Sequence, residues 1–279
     1  MTANDPMVTT DWLSERLGRP GLRVVDATSP PPGDGRDPRA DFEREHLPGS
    51  VYFDINAIAD RRSGLPHMLA SSEDFAAAVG AMGIGSDSCV VVYDALGLFS
   101  AARVWWNFRV MGHEDVRVLD GGLPKWRAEG RPLEAGAPAP EPARFEARFR
   151  PELVRGLEDV RSLLDGRGQI LDARPAARFR GEAPEPRAGL KSGHMPGALS
   201  TPASTLLGPD GTLLPAEALE RVLTGAGADL DRPTVTTCGS GVTAAIVALA
   251  LARLGREAAV YDGSWTEWAA APDTPVAIG

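Results

Sequence analysis

Cys238 lies in the run VTTCGSGVTAA (235–245), where a β-branched stretch delivers a thiol into a loop with glycines at 239 and 241. An Ala/Val/Leu segment then runs to Arg253 and reads as a helix stopped by Gly255. The pattern predicts a sulfur at a helix N-terminus, where unpaired backbone N–H groups and the positive end of the helix dipole both favour an anion. A free cysteine with a pKa of ~8.5 can fall to roughly 3.5–7.5 in such surroundings, so Cys238 is expected to react as a thiolate. The competing reading is a small buried hydrophobe that merely ends a strand. The Gly-Ser-Gly context favours the reactive one, because small loop residues leave room for an incoming sulfur or carbonyl group.

Upstream, residues 172–197 read DARPAARFRGEAPEPRAGLKSGHMPG and gather Arg174, Arg178, Arg180 and Arg187 around a proline-containing loop. Arginine presents paired N–H donors with a defined orientation, which suits a carboxylate that must be held while another part of the same molecule reacts. Taken singly, each arginine could instead be solvated or ion-paired with Glu182 or Glu185.

The elements that must position these groups follow from an internal repeat. The first half carries VVDAT (24–28), EHLPGSV (45–51), CVVVYD (89–94), a helical stretch through Arg109 and VLDGGLPKW (118–126). The second carries, in the same order, ILDAR (170–174), GHMPGAL (193–199), TVTTC (234–238), a helical stretch through Arg253 and VYDGSWTEW (260–268). Short apolar strands alternating with helices predict an α/β fold: two tandem domains, each a mainly parallel sheet with helices on both faces. The expected boundaries are a non-catalytic domain over 1–135, a Pro/Ala-rich linker over 136–152 and a catalytic domain over 153–279. Asp94 stands where the second half has Cys238, so the first domain is expected to be silent and to help cover a cleft.

The 279 residues are enough for two substantial cores, and 43% hydrophobic residues fits a globular chain. A net charge of -9, spread along the chain, disfavours nucleic acid and anionic membrane as partners. No apolar run approaches the ~20 residues that span a bilayer, and the first residues lack the pattern of a signal peptide, so the expected location is cytoplasmic. The two cysteines make neither a disulfide framework nor a metal motif, and Cys89 opens an apolar run as a core residue. His46 and His194 recur in both HxPG turns, which argues for a structural role. Trp105, Trp106, Trp126, Trp265 and Trp268 follow apolar spacing and are read as core or interface residues.

CGSGVTA resembles the active-site loop of the 3-mercaptopyruvate sulfurtransferases, members of the two-domain rhodanese superfamily; in the sibling thiosulfate enzymes Arg and Lys typically take the places of Gly239 and Ser240. The 172–197 segment is similar to that family's DARxxxRFxGxxPEPRxGxxxGHxPG pattern, and the resemblance extends from Val8 to about Ala270. It implies tandem rhodanese-like domains, with Cys238 as nucleophile, Arg178 and Arg187 binding the substrate carboxylate, and Gly239, Gly241, Val242 and Thr243 lining the substrate loop. It further implies a proton relay between Ser240 and His67, the latter in a segment similar to the family's PHMLP. The relay's carboxylate is expected eleven residues before His67, where this chain has Asn56. Phe99 stands where relatives often carry a tyrosine, and Asp172 and Arg174 are read as structural.

The implied reaction takes sulfur from the small-molecule donor 3-mercaptopyruvate onto Cys238 as a persulfide and passes it to thioredoxin, a small thiol or cyanide, with no metal or organic cofactor. Thiosulfate sulfurtransferase activity and a non-enzymatic persulfide carrier or partner-binding module remain as alternatives. Cysteine-dependent phosphatase chemistry is disfavoured, because the arginine that such loops place six positions after the cysteine is here Ala244.

Overall fold

The computed structural model describes residues 5–279. The chain forms two compact units: the described residues up to Asp60 with Leu69–Arg150 and Gly208–Leu213, and Arg61–Met68 with Pro151–Leu207 and Leu214–Gly279.

In the first unit, β1 (Met7–Val8), β2 (Leu22–Asp26), β3 (Ser50–Tyr52), β4 (Cys89–Tyr93) and β5 (Val116–Leu119) form one sheet in the order β1-β5-β4-β2-β3. All its pairings are parallel, with Leu22 opposite Cys89 and Asp26 opposite Tyr93. Val90, Val91, Val92 and Tyr93 are all fully buried, so side chains on both sides of β4 are covered, as a parallel sheet requires. One face packs Val24, Val91, Tyr93 and Leu119 against Leu13, Leu123 and Trp126. Elsewhere in this unit Phe53, Phe75, Phe108 and Phe145 form a chain of tilted and edge-on rings 5.2–6.3 Å apart.

Residues 136–150, expected as a linker, lie on this first unit. Ala143 N donates to Gly80 O (2.9 Å), Arg148 N to Met111 O (2.8 Å) and Arg150 N to Val110 O (2.7 Å). Phe145 anchors the tract by burying its ring against Phe75 and Phe108. Glycine at position 80 permits the approach, since a Cβ there would sit 2.7 Å from Ala143 O. Two short segments also depart from the expected boundaries. Arg61–Met68 packs with the second unit. Gly208–Leu213 packs with the first, where Leu213 N donates to Asp120 Oδ1 at 2.8 Å.

The second unit repeats the first. β6 (Val154–Arg155), β7 (Gln169–Asp172), β8 (Leu199–Ser200), β9 (Thr234–Thr237) and β10 (Ala259–Tyr261) form a parallel sheet in the order β6-β10-β9-β7-β8. Its core packs Ile170, Val235 and Tyr261 with Val160, Phe179, Met195, Trp265 and Trp268. The repeated histidines do the same work in both units. His46 Nδ1–H donates to Phe42 O (2.7 Å) with its ring stacked on Phe42, and His194 Nδ1–H donates to Phe179 O (2.9 Å) with its ring stacked on Phe179. Among the described residues, no helix is long and apolar enough to cross a membrane.

Candidate active site

β9 is a central strand, paired with β7 on one side and β10 on the other, and all four of its residues are buried. Its C-terminal end delivers Cys238 to the edge of the sheet from which ligands are reached in open α/β folds. The residue is only 2% exposed. The loop turns at Gly241, whose φ of +76° lies in the region that suits glycine, and the helix Ala244–Arg253 begins after Thr243. That helix is buried from Ala244 through Leu251, which explains why its sequence is almost wholly Ala, Val, Leu and Ile.

The start of the next helix, Ser264–Ala270, fixes the loop backbone. Ser264 Oγ accepts from Cys238 N (3.2 Å) and donates to Tyr261 O (2.7 Å). Trp265 N donates to Cys238 O (3.0 Å), while Thr266 N and Thr266 Oγ1 both donate to Gly239 O (2.9 and 2.6 Å). Ser264 holds a left-handed φ of +50°, a strained state for a side chain with a Cβ, and its bridging hydroxyl gives a reason for it. The repeat puts Gly122, at φ +54°, in the matching place of the first unit.

The first unit also displays what such a loop binds. There Asp94 stands at the cysteine's position: its Oδ1 accepts from Leu96 N (2.8 Å), and its Oδ2 accepts from Phe99, Ser100 and Ala101 N (2.8, 2.9 and 2.8 Å). The loop therefore folds around a built-in anion. In chain order the counterparts of Leu96, Phe99 and Ser100 are Ser240, Thr243 and Ala244, around the position that Cys238 occupies in the second unit.

The arginines reach the cysteine loop through a buried ion network. Arg174, 1% exposed, grips Asp172 through Nε (3.1 Å to either oxygen) and an Nη (2.7 Å), donates to Gly193 O (2.8 Å) and stacks on Trp265 at 4.2 Å. Its other Nη donates to Glu185 at 2.9 Å. Glu185, whose side chain is 2% exposed, accepts on both oxygens from Arg178, through Nε at 3.3 Å and through a shorter Nη contact. Arg178 keeps 19% of its side chain exposed and lies over Gly239, where a Cβ would come within 3.1 Å of its Nη. Arg187 is half-buried; burial lowers its pKa, the nearby Arg178 lowers it further, and Cys238 and Glu185 act in the opposite sense. It forms no ion pair among the described residues, whereas Arg174, Arg178 and Arg180 are each paired with a carboxylate.

Of the residues singled out from sequence, Cys238, Gly239, Ser240, Gly241, Val242 and Thr243 form one loop, with Arg178 against Gly239 and Arg187 within electrostatic reach of Cys238. His67, at φ +60°, lies in the segment Arg61–Met68 that packs with this same unit. Asn56, at the expected carboxylate position, donates its backbone N–H to Asp54 and belongs to the other unit. Sequence reasoning overlooked Ser264 and Thr266. The signal for Ser264 was present as a serine in the second half facing a glycine in the first, within otherwise matching VLDGG and VYDGS runs.

A family model described as "Rhodanese-like domain" matches residues 9–129 and again 156–271. The chain is 46% identical to thiosulfate/3-mercaptopyruvate sulfurtransferase 2 of Arabidopsis thaliana, over 99% of this chain and 87% of that protein. It is 42% identical to 3-mercaptopyruvate sulfurtransferase of Homo sapiens, over 94% of this chain and 91% of that protein. The crystal structure of SseA from Escherichia coli, presented for the rhodanese fold and catalytic mechanism of 3-mercaptopyruvate sulfotransferases, superposes with a TM-score of 0.86 at 41% identity, covering 93% of this chain and 98% of that one. With both halves matched separately and the cysteine loop in the second, the chain belongs to the rhodanese family as a tandem of two rhodanese-like domains.

Proposed function

We propose that the protein is a 3-mercaptopyruvate sulfurtransferase. What supports this reading is that Arg178 lies over Gly239, next to Cys238, and that Arg187 is within electrostatic reach of Cys238, since a carboxylate seat next to a nucleophilic sulfur is what an α-keto thiol donor needs. The relatives' names support the same activity.

In the proposed reaction the Cys238 thiolate attacks the donor sulfur and forms an S–S bond. The donor's C–S bond breaks, its electron pair leaves as the enolate of pyruvate, and a proton converts that to pyruvate. Loop N–H groups hold the persulfide anion as the first unit's loop holds Asp94. An acceptor thiolate, from a small thiol or thioredoxin, or cyanide then attacks the outer sulfur and returns Cys238 as thiolate. Ser240 and His67 are assigned to proton delivery on the strength of the family resemblance, with uncharged Asn56 unable to add a carboxylate to the relay. A reducing, cytoplasmic setting suits a mechanism that cycles through a free thiol.

The test is thiocyanate formation from cyanide with 3-mercaptopyruvate or thiosulfate as donor. Transfer favouring 3-mercaptopyruvate, abolished in Cys238→Ala and weakened in Arg178→Ala and Arg187→Ala, is the expected result. Preference for thiosulfate, or no transfer from either donor, overturns it.

A further inference from the structure

We propose that Glu185 is a specificity-determining residue: it cancels the charge of Arg178 while fixing its orientation, so that the donor's anionic group meets the net charge of Arg187 alone. The inference rests on the reading of Arg178 and Arg187 as the donor's seat, and it concerns how the charge of that seat is divided.

Asp172, Arg174, Glu185 and Arg178 form a continuous chain of contacts, two carboxylates alternating with two guanidiniums, and their charges sum to zero. Its inner members are rigidly held. The side chains of Asp172, Arg174 and Glu185 are at most 2% exposed, and Arg174 is clamped by Asp172, Gly193 O and the Trp265 ring. Desolvated charges of this kind persist only when they are paired and hydrogen-bonded throughout. Glu185 therefore holds Arg178 from behind through its Nε and an Nη, over Gly239, and leaves the other guanidinium N–H groups to meet a ligand. Arg187, with no carboxylate paired to it among the described residues, adds the single uncompensated positive charge.

A seat with one net positive charge matches the single carboxylate of 3-mercaptopyruvate. A dianionic donor such as thiosulfate brings a second negative charge that the pair Arg178 and Arg187, with Glu185 matched to the first, does not offset, next to a cysteine that must itself be anionic to react. On this account Glu185 selects the monoanion by withholding the charge of Arg178. Gly239 and Ser240 contribute only by adding no cation of their own.

The experiment compares steady-state kinetics for both donors, with cyanide as acceptor, in wild type, Glu185→Gln and Glu185→Asp. Gln keeps the shape and one acceptor but frees one positive charge, and is expected to lower the KM for thiosulfate relative to that for 3-mercaptopyruvate by roughly tenfold. Asp keeps the charge but shortens the reach; it is expected to lower kcat with both donors while leaving the KM ratio at the wild-type value. A parallel change for both donors in Glu185→Gln means a scaffold role only and overturns the proposal. So does a shifted ratio in Glu185→Asp, which decides the matter even if the Gln variant fails to fold. Failure of the underlying reading is recognised separately, as a wild-type enzyme that transfers no sulfur from 3-mercaptopyruvate.

Discussion

Replacing Ser264 by alanine should loosen the cysteine loop without touching any group that meets the donor. The variant removes the acceptor for Cys238 N and the donor to Tyr261 O, both at a fully buried residue, and leaves the left-handed φ of +50° in place. A buried N–H left without a partner costs about 1–3 kcal/mol, so a loss of about 2 kcal/mol is expected. Ser264→Gly loses the same bonds but relieves a left-handed penalty of about 1–2 kcal/mol, offset by about 0.4–1 kcal/mol of extra unfolded-chain freedom. Glycine should therefore be less damaging than alanine by about 0.5–1 kcal/mol, which is the difference between those two effects. Hydrogen exchange followed on peptides covering 234–245 reads this locally and avoids treating a two-unit chain as a single transition. Protection in the alanine variant equal to that of wild type, or a glycine variant less protected than the alanine one, would falsify the bridging role of the hydroxyl.

Three further outcomes can be checked. Asp94→Ala removes four hydrogen bonds to a buried carboxylate and should destabilise the first unit by about 3 kcal/mol, read by urea unfolding; a loss below about 1 kcal/mol would mean that the loop holds its shape without an anion. Burial pushes Asp26 up to about 6 from 3.8, so its contribution to stability is full below its unfolded pKa and is lost as pH rises through about 6. That loss is on the order of 2–3 kcal/mol, and Asp26→Asn should flatten the fall in stability between pH 4 and about 7; an unchanged slope would show that another group is responsible. His67→Ala should lower kcat for 3-mercaptopyruvate at least about tenfold if His67 handles a proton, with a changed pH profile; a KM effect alone would place it in binding or packing.

Much of this architecture is legible in the sequence, because duplication writes the same signals twice. The matching runs of 24–28 and 170–174, or 118–126 and 260–268, become matching strands in sheets of the same order. The cysteine loop was readable because its chemistry needs small residues and a helix start that local sequence can specify. The assignment of 136–150 was not, since its ties are backbone N–H groups reaching Gly80, Val110 and Met111, and such bonds leave no periodicity in side-chain type. Only Phe145 marked the tract as more than a spacer. Arg61–Met68 posed the same difficulty, since membership of a unit is decided by contacts distant in sequence. Glu185 was visible as an ion-pair partner, but its burial and its double engagement by Arg174 and Arg178 depend on the fold around it.

Asp94 makes the two loops thermodynamically unlike, despite their common ancestry in the repeat. The first carries its counter-anion as part of the covalent chain, already held by four backbone N–H groups. In the proposed reaction the second gains an equivalent anion only while the sulfur of Cys238 carries the charge, so the order of its loop would be linked to the covalent state of one sulfur. Alkylation with a neutral group should thus slacken the second loop and leave the first indifferent, which makes the loop around Asp94 an internal reference for the chemical state of the loop around Cys238.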